Sequence, residues 1–288
     1  MSDAEVRSVE RNAEALLTWF QQVSSVVVAF SGGVDSSVVA AAACRALRER
    51  AVAVTADSPS VPRAEVEAAG FLARHIGIRH VVISTNEFER REYRENDGRR
   101  CYFCKDELYS RIEGLLPELG AEVICSGANQ DDFGDYRPGL RAAAEHKVRH
   151  PLQESRLGKN EVRELARFWH LPVWDKPASP CLASRIAPGV AVTPERTARI
   201  ESAEAFLKER GFSECRVRLH EGEMARIEVP LTQLQGLLAP TLRDELVRHL
   251  RSMGFRFVTI DLEGFSSGRF NDLIPLEIKR RFEMRQTP

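Results

Sequence analysis

Between Val26 and Ala43 an apolar run, a glycine pair and an alanine-rich run follow one another without interruption, and this stretch limits the fold more sharply than any other. Val26-Val27-Val28-Ala29 has the continuous apolar, β-branched character of a strand buried on both faces. Gly32-Gly33 turns the chain, and Val38–Ala43 reads as a helix. Strand, turn and helix in that order present backbone N–H groups and the positive end of a helix dipole to an anion. Adjacent glycines let the backbone approach phosphate oxygens with no Cβ in the way. Ser31, Ser36 and Ser37 add hydroxyl donors, and Asp35 can hold a metal ion that bridges phosphates. A Walker loop would end in Gly-Lys-Ser/Thr, which is absent here. The plain alternative is an ordinary strand–turn–helix of an α/β core.

The rest of the chain repeats the pattern. Ala51–Ala56 reads as a second buried strand and His80–Ser84 as a third strand, separated by a helical period over Arg63–His75, and Glu122–Cys125 as another buried strand. Such alternation predicts an α/β fold with a doubly wound parallel sheet. Right-handed crossovers place the loops after Ala56 and after Cys125 on the same sheet edge as the glycine pair. Ala56 and the following Asp57-Ser58-Pro59-Ser60, and Gly127 with the acidic Asn129-Gln130-Asp131-Asp132 segment, are therefore candidate ligand contacts, Asp131 among them as a magnesium ligand. Asn86–Arg100 is charged and aperiodic, so a surface loop or exposed helix is expected. The pattern changes around Ala187–Thr193, which sets a boundary between domains 1–188 and 189–288, the second a smaller α+β domain. There Thr193-Pro194 begins a helix, Glu214–His220 and Ala225–Val229 read as strands, Leu231–Ser252 as helical with Pro240 punctuating it, Phe255–Leu262 as a strand, and Lys279–Pro288 as a frayed tail. Arg216, Arg218 and His220 share one strand face, which gives either a fork for phosphate or carboxylate or a solvated sheet face.

Charge and hydropathy exclude some functions. With 41 Lys and Arg against 42 Asp and Glu, a net charge of −1 leaves no general basic surface for nucleic acid. No apolar run is long enough for a bilayer, and Met1–Gln22 lacks the apolar core of an export signal, so a cytoplasmic protein with no membrane partner is expected. Its Val6, Ala13, Leu16, Leu17 and Phe20 suit a helix packed on the domain. Of six cysteines, Cys44, Cys125 and Cys215 lie in apolar runs and read as small core residues. Cys101 and Cys104 form a Cys-x-x-Cys pair beside Arg99, Arg100 and Lys105. Zinc, iron–sulfur, dithiol redox and coincidence are all open for such a pair. Lys105 can reach phosphate or be a solvated charge. Cys181 follows Pro177 and Pro180 on a constrained loop, with Lys176 and Arg185 near enough to favour its thiolate.

The Ser-Gly-Gly-x-Asp-Ser loop resembles that of the PP-loop ATP pyrophosphatases, which split ATP between its α and β phosphates. Together with Arg-Cys-Tyr-x-Cys-Lys, Asp-Tyr-Arg-Pro-Gly, Lys-Pro-Ala-Ser-Pro-Cys-Leu-Ala-Ser-Arg and Arg-Val-Arg in order, it makes the chain similar to the LarE family. The likeness runs from about residue 20 to 275. It implies an ATP-dependent sulfur transferase, acting with magnesium, that converts carboxylates of pyridinium-3,5-biscarboxylic acid mononucleotide to thiocarboxylates for the nickel-pincer nucleotide cofactor of lactate racemase. It further implies that Cys181 is the sulfur site and that Ser184, Arg185, Arg216 and Arg218 bind substrate. Ser31, Gly32, Gly33, Asp35, Ser36, Ser37, Ala56, Lys105 and Gly127 then hold ATP, with Asp35 and Asp131 on magnesium. Two sulfur routes stay open. In one, Cys181 gives up its own sulfur and becomes dehydroalanine. In the other, preferred here because three cysteines are otherwise unneeded for packing, Cys101, Cys104 and Cys181 hold a 4Fe-4S cluster whose open iron carries sulfide from a separate donor. Family relatives form ring-like homo-oligomers, so a homo-oligomer is expected. Rival readings are a tRNA thiolase, an ATP-dependent amidotransferase and a nucleotide-binding regulatory module.

Overall fold

The computed structural model describes residues 3–133, 136–266, 270 and 273–282. The chain divides into two compact units. The larger contains Met1–Glu87 and Cys101–Ser179, the smaller Phe88–Arg100 and Pro180–Lys279.

The larger unit is built on four parallel strands, β1 (Val26–Ala29), β2 (Ala51–Asp57), β3 (Arg79–Ser84) and β4 (Val123–Cys125), in the order β3-β2-β1-β4. Alternate residues face opposite sides. Val26, Val28, Ala51 and Ala53 join a core with α1 (Asp3–Gln21), α2 (Val34–Leu47), α3 (Arg63–Ile76) and α8 (Lys159–Phe168). Val27, Ala29, Val52 and Val54 join a second core with α5 (Arg100–Leu119) and α6 (Pro138–Glu145). Helices thus cover both faces, as the run of valines and alanines predicts. In α1, Leu16 and Phe20 are fully buried. The remaining short helix of this unit is α7 (Pro151–Glu154). From β1 the chain winds to β2 and β3 on one side, then returns to β4 on the other. The order therefore reverses between β1 and β4, the point at which open α/β sheets take their ligands, outside the strand ends.

In the smaller unit, β5 (Arg216–His220) pairs antiparallel with β6 (Met224–Glu228), and β6 pairs parallel with β7 (Phe257–Ile260). Its core-facing residues Val217, Leu219, Ala225 and Ile227 are fully buried, as are Ile200, Ala203 and Leu207 of α9 (Pro194–Glu209) and Leu250 of α11 (Pro240–Ser252). Thr193 caps α9 by accepting from the Arg196 N–H, with Pro194 in the first helical turn. The helical stretch expected over Leu231–Ser252 is interrupted. A 3-10 turn and α10 (Leu234–Leu237) precede α11, which Pro240 restarts at a position where its missing N–H costs nothing. The tail is helical over α12 (Leu276–Phe282), and residues 283–288 lie outside the described ones.

Residues 88–100 are the main departure from expectation. They include α4 (Arg91–Glu95) and belong to the smaller unit, with Tyr93 1% and Asn96 2% exposed. Asn96 Nδ2 donates to the carbonyls of Ala187 and Val190 at 2.9 and 3.0 Å, and the Gly189 and Val192 N–H groups bond back to Asn96 and Arg94. That exchange holds the segment against 186–192. The division accordingly falls at Ser179/Pro180, ahead of the compositional change at Ala187–Thr193.

Candidate functional site

Within the larger unit, the sequence candidates for phosphate and metal gather where the strand order reverses. Gly32 takes φ +69°, and a Cβ on it would lie 3.2 Å from Cα and Cβ of Ala69 on α3, so only glycine fits the turn. Gly33 begins α2 and no side chain caps that helix. The Ser36 and Ser37 hydroxyls bend back to the Gly33 carbonyl at 3.1 and 2.7 Å, while Ser31 Oγ is exposed and lies 3.2 Å from Ser36 Oγ. An uncapped helix start behind a glycine turn is a ready anion cradle. Gly127, just past β4, comes so close to α2 that an added Cβ would stand 2.7 Å from the Ser36 nitrogen. The β4 loop is thereby pressed onto the first turn of α2.

That loop delivers the acidic group. Asn129 Nδ2 donates to Asp35 Oδ1 at 2.8 Å, and its Oδ1 accepts from the Asp131 N–H at 3.0 Å. Asp132 Oδ2 accepts from the Asn129 N–H at 3.2 Å, which completes a capping box. Burial pushes Asp35 above the usual carboxylate range; the Asn129 hydrogen bond opposes this and the Asp132 charge adds to it. Arg137 pairs with Asp132 at 2.8 Å. Two neighbouring carboxylates, one of them disfavoured in its charged form, are a donor set that a divalent cation would relieve. Asp131, the sequence choice for magnesium, instead accepts from the Lys159 N–H at 2.7 Å and caps α8. Behind the loop, Ser126 Oγ and His150 Nδ1 lie 2.8 Å apart, and burial lowers the His150 pKa. Asn129 and Asp132 lie in the segment the sequence marks as a candidate contact but were not singled out within it, and His150 was missed. The Asn-x-x-Asp spacing was the available signal for the first two. Ala56 sits half-buried near the end of β2, in register with Ile83.

In the smaller unit the substrate candidates also come together. Cys181 is half-buried and precedes a 3-10 turn, Leu182–Arg185. Its carbonyl accepts from the Ser184 N–H, the Ser184 hydroxyl and Arg185 Nη1 at 3.0, 2.6 and 2.9 Å. Arg185 is 2% exposed. It holds Glu204 through Nε and Nη2 at 3.0 and 3.2 Å and also donates to the Pro180 carbonyl. Arg218 is similarly buried, donating to Glu228 at 3.0 and 2.9 Å and to the Ser184 carbonyl at 3.2 Å. Arg216 lies over the Phe265 ring and donates to the Cys215 carbonyl; burial, then the Arg185 charge, lowers its pKa. The turn after Cys181 joins the sheet where Ile186 bridges Leu219. Arg185 and Arg218 thus brace the thiol's loop against α9 and β6.

The sequence pattern that describes NAD synthase matches residues 16–116, the stretch from α1 into α5. An uncharacterized protein of Synechocystis sp., slr1717, is 42% identical over 92% of this chain and 99% of its own. A component of the glutamine-hydrolyzing GMP synthase of Methanosphaerula palustris is 29% identical over 66% of each chain. Pyridinium-3,5-bisthiocarboxylic acid mononucleotide synthase of Lactiplantibacillus plantarum is 35% identical over 90% of this chain and 93% of its own. The chain belongs to the LarE family.

As a LarE-family chain, it carries the family's α/β architecture with an all-parallel four-stranded sheet. Its cysteines divide between the units. Cys101, exposed, and Cys104, half-buried, stand one turn apart on α5 in the larger unit, and Cys181 lies in the smaller. Lys105 follows on α5, its stem 3.0 Å from where a Cβ on Gly139 would be and its Nζ 5.8 Å from the Tyr109 ring centroid. Cys125 and Cys215 are buried, and burial raises both thiols, Cys215 to about 12. Cys44 is half-buried, with Sγ 3.5 Å from the Gly77 carbonyl. Among the described residues, no three Cys, His, Asp or Glu side chains are gathered as a metal-binding group. For an iron–sulfur cluster, the larger unit supplies a pair of thiols on one helix face and would need a third from elsewhere. No helix among the described residues is long and apolar enough to cross a membrane.

Proposed function

We propose that this chain is an ATP-dependent sulfur transferase that converts carboxylates of pyridinium-3,5-biscarboxylic acid mononucleotide to thiocarboxylates in nickel-pincer nucleotide biosynthesis. The observation that carries this reading is the 35% identity, over 90% of the chain, to the pyridinium-3,5-bisthiocarboxylic acid mononucleotide synthase. The glycine turn, uncapped α2 and acidic loop at the strand reversal support its ATP half.

A carboxylate is a poor acyl donor because oxide would have to leave. Its oxygen attacks the α-phosphorus of ATP, the bond to the bridging oxygen breaks, pyrophosphate departs, and AMP becomes the leaving group of an acyl-adenylate. The α2 N-terminus and the Ser31, Ser36 and Ser37 region bind the phosphates, and Asp35 and Asp132 hold magnesium. Magnesium, when bound, stabilises charge that develops on the departing pyrophosphate. In the single-use route, the Cys181 thiolate then displaces AMP. Loss of its Cα proton to a base and cleavage of its Cβ–S bond then leave thiocarboxylate and dehydroalanine. Ser184 and Arg216 contact the substrate, while Arg185 and Arg218 hold the Cys181 loop through Glu204 and Glu228. In the cluster route, Cys101, Cys104 and Cys181 would hold the cluster, which would supply sulfide from a separate donor as the nucleophile that displaces AMP. A homo-oligomer is part of the proposal and is read by light scattering.

The test is pyrophosphate release from ATP and magnesium. It should require the pyridinium dicarboxylate mononucleotide, be lost in Asp35→Asn, and be absent with tRNA. Release with tRNA, or release indifferent to the mononucleotide, would overturn the assignment.

A further inference from the structure

A carboxylate unused so far braces the loop after β2 from inside the larger unit. Glu87, on the 3-10 turn that follows β3, is 1% exposed. Its Oε1 accepts from the Ser58 and Ser60 hydroxyls at 2.6 and 3.0 Å, and the Ser60 N–H donates to Ser58 Oγ at 3.2 Å. Ser58 and Ser60 are themselves 4% and 2% exposed. Glu87 Oε2 is buried with no hydrogen-bond partner. An acid kept in the interior with one oxygen unpaired is costly, and a space-filling role would be met better by an apolar side chain. The residue's chemistry therefore serves the two hydroxyls.

What they hold is the C-terminal end of β2, on the sheet edge where parallel α/β folds take their ligands. Arg63 braces the outer side of the same loop, donating to the Ser58 and Val61 carbonyls at 2.8 and 2.9 Å and pairing with Asp57. From there the chain enters α3, whose Ala69 packs on Gly32. The loop thus leads directly into the helix that packs on the phosphate turn.

We propose that Glu87 is a positioning residue for the nucleotide: through Ser58 and Ser60 it sets the loop that receives the nucleoside portion of ATP. The proposal rests on the ATP reading above and adds a residue to it. Glu87 touches no substrate and acts only through the serines.

The experiment measures KM for ATP and kcat by pyrophosphate release, with thermal midpoint alongside, in Glu87→Ala, Glu87→Gln, the pair Ser58→Ala/Ser60→Ala, and the triple variant. Glu87→Ala should raise KM about ten-fold, the equivalent of one lost hydrogen bond, with kcat little changed. Glu87→Gln, which keeps one carbonyl for both hydroxyls, should restore KM. The serine pair should reproduce Glu87→Ala, and the triple variant should add little to it. An unchanged KM in both Glu87→Ala and the serine pair, whether or not the midpoint falls, overturns the proposal and leaves the ATP reading standing. A wild-type protein that neither binds ATP nor releases pyrophosphate overturns both.

Discussion

Replacing Arg185 with alanine would separate two roles for this residue, ligand contact and loop anchor. Arg185 and Glu204 have side chains only 2% and 4% exposed, joined by two hydrogen bonds, and the same guanidinium holds the Pro180 and Cys181 carbonyls. Removing one partner of such a pair strands a buried carboxylate, which costs about 3–5 kcal/mol. At about 2–4 °C per kcal/mol for a domain of this size, the thermal midpoint should fall by about 10 °C. Calorimetry and urea unfolding measure it. Glu204→Ala should cost a similar amount, and the double variant should cost clearly less than the sum. The reasoning is refuted if Arg185→Ala loses less than about 1 kcal/mol, the range of an exposed pair, while raising KM for the carboxylate substrate. That outcome would mean the guanidinium is available to ligand.

Three further outcomes follow from the geometry. Gly127→Ala should destabilise by about 1–3 kcal/mol and abolish pyrophosphate release, because the new Cβ meets backbone of α2 that cannot yield cheaply; normal release would contradict the close packing. His146 lies 2.9 Å from Asp106 and 3.0 Å from Glu113; burial disfavours its charge, but these two carboxylates outweigh it and raise its pKa. A raised folded-state pKa gives stability that is complete below the unfolded value of about 6.5 and is lost as pH rises through the folded one. The midpoint gap between wild type and His146→Gln should therefore shrink toward alkaline pH, and a constant gap would contradict it. Protein purified without oxygen should show iron–sulfur absorbance that Cys101→Ala removes; a colourless protein that converts Cys181 to dehydroalanine in one turnover would instead favour the single-use route.

Much of the fold was legible because its signals are local. Val26–Ala29 is apolar at every position, as a strand covered on both faces must be, and the alternation of Val217 and Leu219 with Arg216 and Arg218 states which face of β5 is core. Asn86–Arg100 was not legible. Its charge count suggests solvent, whereas its fate turns on Asn96, whose carbonyl partners lie about ninety residues away. The candidate site divides in the same way. The glycine turn and its serines are consecutive, but the choice between Asp131 and Asp132 depends on the phase of one 3-10 turn. Sequence spacing also does not tell a free arginine from a paired one. Glu204 and Glu228 make that difference for Arg185 and Arg218, and only folding brings them into reach.

Sulfur transfer that depends on Cys181, as cluster ligand or as donor, is the central claim, and mass spectrometry of both protein and small molecule after turnover with ATP, magnesium and the pyridinium dicarboxylate tests it most directly. The account predicts a product in which sulfur has replaced a carboxylate oxygen, formed by wild type and not by Cys181→Ala. Equal thiocarboxylate from Cys181→Ala, or AMP and pyrophosphate from wild type with no sulfur in the product, would contradict it.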